Sequence, residues 1–190
     1  MSAAAPYRLP RLISLFLSFS FGVIGFAIGL NALIKSNNDK DRLRKSVPQG
    51  ATVDINDNDV YESGVVVTVM SGLIALVSFF AMPSAILSHP RLRSSTMLHA
   101  QSGFLGFFTI FLFAALIPFT TFVANRSAKV TAFLGGVKVP DAVVKGIEKQ
   151  LGATSVYKDI HYLRNTAILP WFAFLFGLTS TILTFLAARR

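Results

Sequence analysis

The sequence predicts an all-α membrane protein: a left-handed four-helix transmembrane bundle with a small α+β cap formed by its two long loops. Two observations carry this expectation. Four apolar stretches run over about residues 12–34, 65–87, 104–124 and 167–188, and none of them contains Asp, Glu, Lys, Arg or His. Each reaches the roughly 20 apolar residues a helix needs to cross a bilayer. The composition, 53% hydrophobic with a mean hydropathy of +0.58, leaves no room for a large soluble domain. Residues 1–190 read as a single four-span membrane domain, with the cap built from loops 35–64 and 125–166.

The first stretch exceeds the 7–15 apolar residues of a signal-peptide core, and no small-x-small cleavage site follows it, so it reads as a retained helix. It carries Ser18, Gly22, Gly25 and Gly29 at spacings of 4, 3 and 4. The second carries Ser71, Ala75 and Ser78, and the fourth Ala173, Gly177, Ser180 and Thr184, on the same period. A repeat averaging 3.5 marks a left-handed seam. Small residues are what let helix backbones approach in lipid, where burial of apolar surface drives nothing. These stripes are the expected helix-packing or assembly positions. The third stretch is different: Phe104, Phe108, Phe111, Phe119 and Phe122 give it an aromatic face, with Phe107 placed off that stripe. Pro83 and Pro118 fall inside spans, whereas Pro170 suits a helix start, where a missing N–H costs nothing. Tyr157, Tyr162 and Trp171 gather before the fourth span, as interfacial anchors do.

The net charge of +9 would suggest nucleic acid in a soluble chain, but here the bases flank the spans, and no recognition fold for nucleic acid fits. Membrane lipids are the expected partners of that charge. Four spans put both termini on one side. That side holds Arg8, Arg11, Arg91, Arg93, Arg189 and Arg190 as membrane-surface bases, and no acid. The opposite side holds the remaining bases and all nine acids. Raw counting of Lys and Arg favours the long loops as cytosolic, and the density of arginine beside the spans favours the termini. The second criterion is preferred, giving cytosolic termini in a plasma membrane or endomembrane. The sequon Asn125-Arg126-Ser127 lies at the mouth of the third span, close to the membrane.

In the first long loop, Thr52 to Ile55 alternates like a strand. Asp54, Asn56, Asp57, Asn58 and Asp59 could offer oxygens to Ca²⁺, a weak candidate beside the simpler reading of a polar turn. Asp54 to Asn58 resembles the calcium-binding linker between cadherin repeats, with Val60 where a Pro usually follows. As an EF-hand the segment fails, because Val65 stands where the bidentate Glu belongs. In the second loop, residues 129–133 and 137–139 around Leu134-Gly135-Gly136 read as a β-hairpin. Pro140-Asp141 opens a short helix to Leu151, with Val143, Val144, Ile147 and Leu151 as its apolar face. The strand in the first loop could join the hairpin as a third strand.

Histidines 89, 99 and 161 are split between the two sides and lack metal-ligand spacing. No phosphate loop or nucleophile elbow occurs. No enzymatic activity, cofactor or resident metal is expected, and the chain contains no cysteine for a disulfide or thiolate site.

A short link between spans two and three, with two larger loops on the opposite face, resembles the tetraspan superfamilies: claudins, the related fungal eisosome tetraspans and MARVEL proteins. The likeness spans the whole chain as topology; the Trp and Cys signatures of the claudin first loop do not occur. It implies lateral assembly and membrane organisation. The expected function is thus a non-catalytic, self-associating membrane tetraspan. A small accessory subunit of a larger membrane complex is the alternative, and a channel or transporter the second alternative.

Overall fold

The computed structural model describes residues 7–46, 51–87, 94–140, 142–144, 146 and 154–189. In chain order the elements are α1 (Arg8–Lys45), β1 (Ala51–Asn56), α2 (Asn58–Ile86), α3 (Ser95–Asn125), β2 (Lys129–Leu134) and β3 (Val137–Lys138). A 3₁₀ turn (Tyr157–Asp159), α4 (His161–Ile168) and α5 (Pro170–Ala188) follow. Four helical segments are long and apolar enough to cross a membrane: α1, α2, α3, and α4 with α5 taken together.

Every one of these helices runs past its apolar stretch. The stretch marks where the bilayer would lie, while the helix ends where capping groups and tertiary ties allow. α1 shows this most clearly. The mixed-charge run 35–45, expected as loop, continues the helix by about 16 Å at 1.5 Å per residue. Arg42, Arg44 and Lys45 in the last turn complement the carbonyl end of the helix dipole, and Ser46 Oγ donates to the Arg42 carbonyl at 2.9 Å. α2 starts with Asp59 in its first turn, the favourable sign at an N-terminus. Ser94 caps α3 by accepting the Met97 N–H at 3.3 Å. α4 passes into α5 through Leu169, which keeps helical angles, and Pro170 occupies the first position of α5, where its missing N–H leaves nothing unsatisfied. α2 and α3 continue through Pro83 and Pro118.

The four spans form a ring in which α1 packs on α2 and α5, and α3 closes it by packing on the same two. The centre is filled by Leu15, Ile74, Leu105 and Leu112, all with no exposed surface. The small-residue stripes face into this ring. An added Cβ at Gly22 would lie 2.9 Å from the Ser71 carbonyl oxygen and 3.0 Å from the Ala75 nitrogen. One at Gly25 would lie 2.9 Å from Ser71 Oγ, and one at Gly29 would run into Thr68. Hydroxyl pairs complete the contacts: Ser18 with Ser78 at 2.9 Å and Ser14 with Ser180 at 2.7 Å. On the far side, Gly177 of α5 meets Thr109 of α3.

β1 pairs antiparallel with β2, from Ala51 opposite Leu134 to Asn56 opposite Lys129, and β2 pairs with β3. The hairpin turns at Gly135 and Gly136, whose φ values of 57° and 81° are the left-handed pair a two-residue hairpin turn requires. The result is the three-stranded sheet β1-β2-β3. Below it, Ala128 and Ile160 pack against the core of the bundle. Residues 142–144 and 146 are helical, with Val144 buried and Val143 exposed; the rest of the helix expected to Leu151 lies outside the described residues.

Backbone crowding at Gly22 makes a sharp test, because a carbonyl and a peptide nitrogen cannot rotate away. Gly22→Ala is expected to destabilise the detergent-solubilised protein by about 1–3 kcal/mol through overpacking. Gly103, in α3, has nothing within 4 Å of an added Cβ. Gly103→Ala is therefore expected to stabilise by about 0.5–1 kcal/mol. Thermal unfolding of the two variants beside the wild type reads the difference, and equal shifts would remove the seam from the account.

Candidate functional site

All the stripe residues of α1, α2 and α5 are buried within one chain: Ser18, Gly22, Gly25 and Gly29, then Ser71, Ala75 and Ser78, then Ala173, Gly177, Ser180 and Thr184. They bring helices of the same molecule together. The aromatic face of α3 does not hold as a single surface. Phe119 turns inward, 1% exposed, with its ring over Gly64, while Phe104 and Phe111 point outward. Phe122 lies half-buried beneath the Arg126 guanidinium, 4.3 Å from its ring centroid. Phe107, expected off the stripe, belongs to the outward ridge. Its ring lies 4.7 Å from Phe111 and 5.5 Å from Phe108, and positions 104, 107 and 111 share one face of a 3.6-residue helix.

The bases expected on the membrane surface also separate. Arg8 donates from Nε to the Ala85 carbonyl at 2.8 Å and from Nη2 to that of Ile86, capping the end of α2. Arg11 is 4% exposed, so it does not lie on the surface. Its Nη2 donates to Ser84 Oγ and, at 3.5 Å, to Gln101 Oε1. The Ser84 hydroxyl in turn lies 2.6 Å from the Ala81 carbonyl and 3.0 Å from Gln101 Oε1. One cation thus pins α1, α2 and α3 together, a role that a pattern of arginines near span ends does not reveal. Arg189 lies over the ring of Phe185. Arg91, Arg93 and Arg190 lie outside the described residues.

At the opposite end, the acid-rich segment is divided rather than gathered. Asp54 and Asn56 lie on the exposed face of β1, which alternates in burial along its length. Asp57 turns inward, where Lys40 Nζ meets its carboxylate at 2.7 Å and Ser36 Oγ donates at 3.3 Å. Asp59 takes Arg126 Nη1 at 3.0 Å and the Tyr157 hydroxyl at 3.2 Å. Asn58 is exposed, and its N–H donates to Asn56 Oδ1. The carboxylates that a Ca²⁺ site would need serve different cations. Among the described residues, no three His, Cys, Asp or Glu side chains converge on a metal position.

Lys40, Asp57, Ser36 and Tyr157 line a cleft of about 720 Å³ between the projecting end of α1, the start of α2, the 3₁₀ turn and α4. Lys40 stands over the Tyr61 ring at 4.9 Å, and the Tyr162 hydroxyl donates to Asp39 Oδ2 at 3.0 Å, tying α4 to the projecting end of α1. Tyr157 and Tyr162, expected as interfacial anchors, are part of the packing at this end. Trp171 donates to Thr120 Oγ1 at 3.3 Å and meets Phe113 and Phe174 edge-on. Compared with known proteins, the chain matches no family model, no curated protein and no solved structure.

Burial of Tyr157, reinforced by the negative charges of Asp59 and Asp57 and opposed by Arg126, pushes its phenol well above the usual tyrosine value. The folded state therefore holds the proton where the unfolded chain, titrating near pH 10, would release it. The stabilisation is complete below about pH 10 and falls as pH rises above it. Tyr157→Phe is expected to cost about 1 kcal/mol at neutral pH by losing the hydrogen bond, yet to show a shallower alkaline decline. Melting temperatures measured from pH 8 upward separate the two effects; parallel curves would contradict this origin of the alkaline sensitivity.

Proposed function

We propose that this protein is a non-catalytic, multi-pass membrane tetraspan, a single four-span unit that assembles laterally with copies of itself and organises the membrane around it. The observation that supports it best is a division of labour among the helix surfaces. The small residues that join helices in lipid are buried within the chain, where Ser14 pairs with Ser180 and Ser18 with Ser78. The outward ridge Phe104–Phe107–Phe111 on α3, where the Phe107 and Phe111 rings meet at a tilt of 45° and Phe104 stacks on Phe108, is the surface we assign to a neighbour. Aromatic pairs contribute about 0.5–1.5 kcal/mol beyond their burial, so a ridge meeting its symmetry mate has a directional preference that lipid tails lack. A left-handed bundle follows from the 3.5-residue period of the seams. The termini are placed in the cytosol, with the sheet-bearing cap on the other side of a plasma membrane or endomembrane.

An accessory role in a larger complex has its own support in the projecting end of α1, which carries exposed Arg42, Arg44 and Lys45 and offers a basic surface to an acidic partner. Stoichiometric unrelated proteins recovered with the chain from native membranes would favour that role.

The chain contains no cysteine, so one introduced thiol reports on one contact. Phe107→Cys and Phe111→Cys are expected to form disulfide-linked dimers on mild oxidation in native membranes. Leu76→Cys, equally outward on α2, is expected to remain monomeric. Crosslinking at all three positions alike, or at none, would remove the α3 ridge as the assembly surface.

A further inference from the structure

The cleft at the cap end has a lining that combines apolar and charged groups. Its apolar floor is formed by Gly29, Gly64, Phe119 and Leu163, within or just outside the apolar stretches. Its mouth is formed by groups of the projecting α1 and the cap. Three cations, Lys35, Lys40 and Arg42, and three carboxylates, Asp39, Asp57 and Asp159, line it together. The volume of about 720 Å³ falls within the range of small-molecule sites, in which apolar walls supply burial and a few polar groups fix orientation.

The charge balance narrows the ligand. An anionic head would meet as many carboxylates as cations, and a cationic head the reverse. Lys40 and Asp57 already satisfy one another at 2.7 Å, and Lys35 and Arg42 share the lining with Asp39 and Asp159, so a head of either sign meets repulsion as well as attraction there. A hydroxyl both donates and accepts, and it needs only one or two partners to be buried without loss. Ser36, and the Tyr162 hydroxyl that bonds Asp39, offer such partners at the mouth.

We propose that this cleft binds a neutral, hydroxyl-headed amphiphile, with its apolar body against the Gly29–Phe119–Leu163 floor and its hydroxyl among the polar groups of the mouth. A sterol and a monoacylglycerol share that chemistry and differ in the stiffness of the body. The site lies in one chain and is independent of lateral assembly.

The test uses the full chain in nanodiscs with two photoreactive probes, a cholesterol analogue and a monoacylglycerol, each challenged with its unlabelled parent and with oleate. Saturable labelling of peptides within 29–46 and 157–166, competed at least tenfold better by the neutral parent than by oleate, is the expected result. Labelling by the sterol alone assigns a rigid body, and by the monoacylglycerol alone a flexible one; either upholds the proposal. Leu33, half-buried on the cleft wall, supplies the variants. Leu33→Trp narrows the cleft and is expected to reduce labelling about tenfold, while Leu33→Ala retains it. Should the Trp variant fail to fold, the peptide map and the competition on wild type still decide. Label spread over the outward faces of the spans, unsaturable label, or displacement by oleate as strong as by the neutral parents would overturn the proposal.

Discussion

The close approach of α1 and α2 is the constraint on which the rest of the structure depends. In lipid, moving an apolar side chain from tails to a helix interface yields little, so helices associate only where many atoms meet at short range. Gly22, Gly25 and Gly29 lay bare one stripe of α1 backbone, and Ser71, Ala75 and Thr68 of α2 lie directly against it. With those two helices set, Ser14 of α1 reaches Ser180 of α5, and Ile74 of α2 lies against Gly177. α3 then closes the ring by placing Thr109 against Gly177 and Leu105 and Leu112 into the centre.

The polar groups of the molecule are arranged around that ring at both ends. At one end Arg11 reaches across to Ser84 and Gln101. A buried guanidinium requires several acceptors in fixed positions, so this cation restricts how α1, α2 and α3 can slide along one another. At the other end, Lys40–Asp57 and Arg126–Asp59 tie the projecting helix and the cap to the start of α2. Both ends therefore resist shear that the apolar middle would tolerate. Within the middle, most hydroxyls return a proton to the carbonyl one turn back, as Thr68 does to Gly64 and Ser71 to Val67, which lets them pack as small residues.

The cleft is a geometric consequence of helix lengths. α1 extends well past the apolar stretch, whereas α2 begins only at Asn58, after the β1 strand. A long helix beside a shorter one leaves a gap at the step. The cap spans it from above, anchored through Ala128, Tyr157 and Ile160. The floor of the gap consists of residues within or just outside the apolar stretches, and its rim of charged residues further along the helices, so the amphipathic grading accompanies the step.

The sequence by itself determined the number of spans, the strands of the cap, the glycine turn of the hairpin and the positions of the small-residue stripes. These are local properties: hydropathy over about 20 residues, alternation over a few, and glycine where φ must be positive. It did not determine which stripe meets which, that Phe119 faces inward while Phe107 faces out, that Arg11 is buried, or that Asp57 and Asp59 diverge to different cations. In water, an apolar stripe on a polar helix announces its inner face. A membrane helix is apolar all round, so Phe107 and Phe119 look alike in the chain, and only the geometry of the neighbouring helices separates them. Charged residues at the span ends carry the same ambiguity: Arg8 and Arg11 are three positions apart in one helix turn, and it is the position of Ser84 and Gln101 on two other helices that draws the second inside.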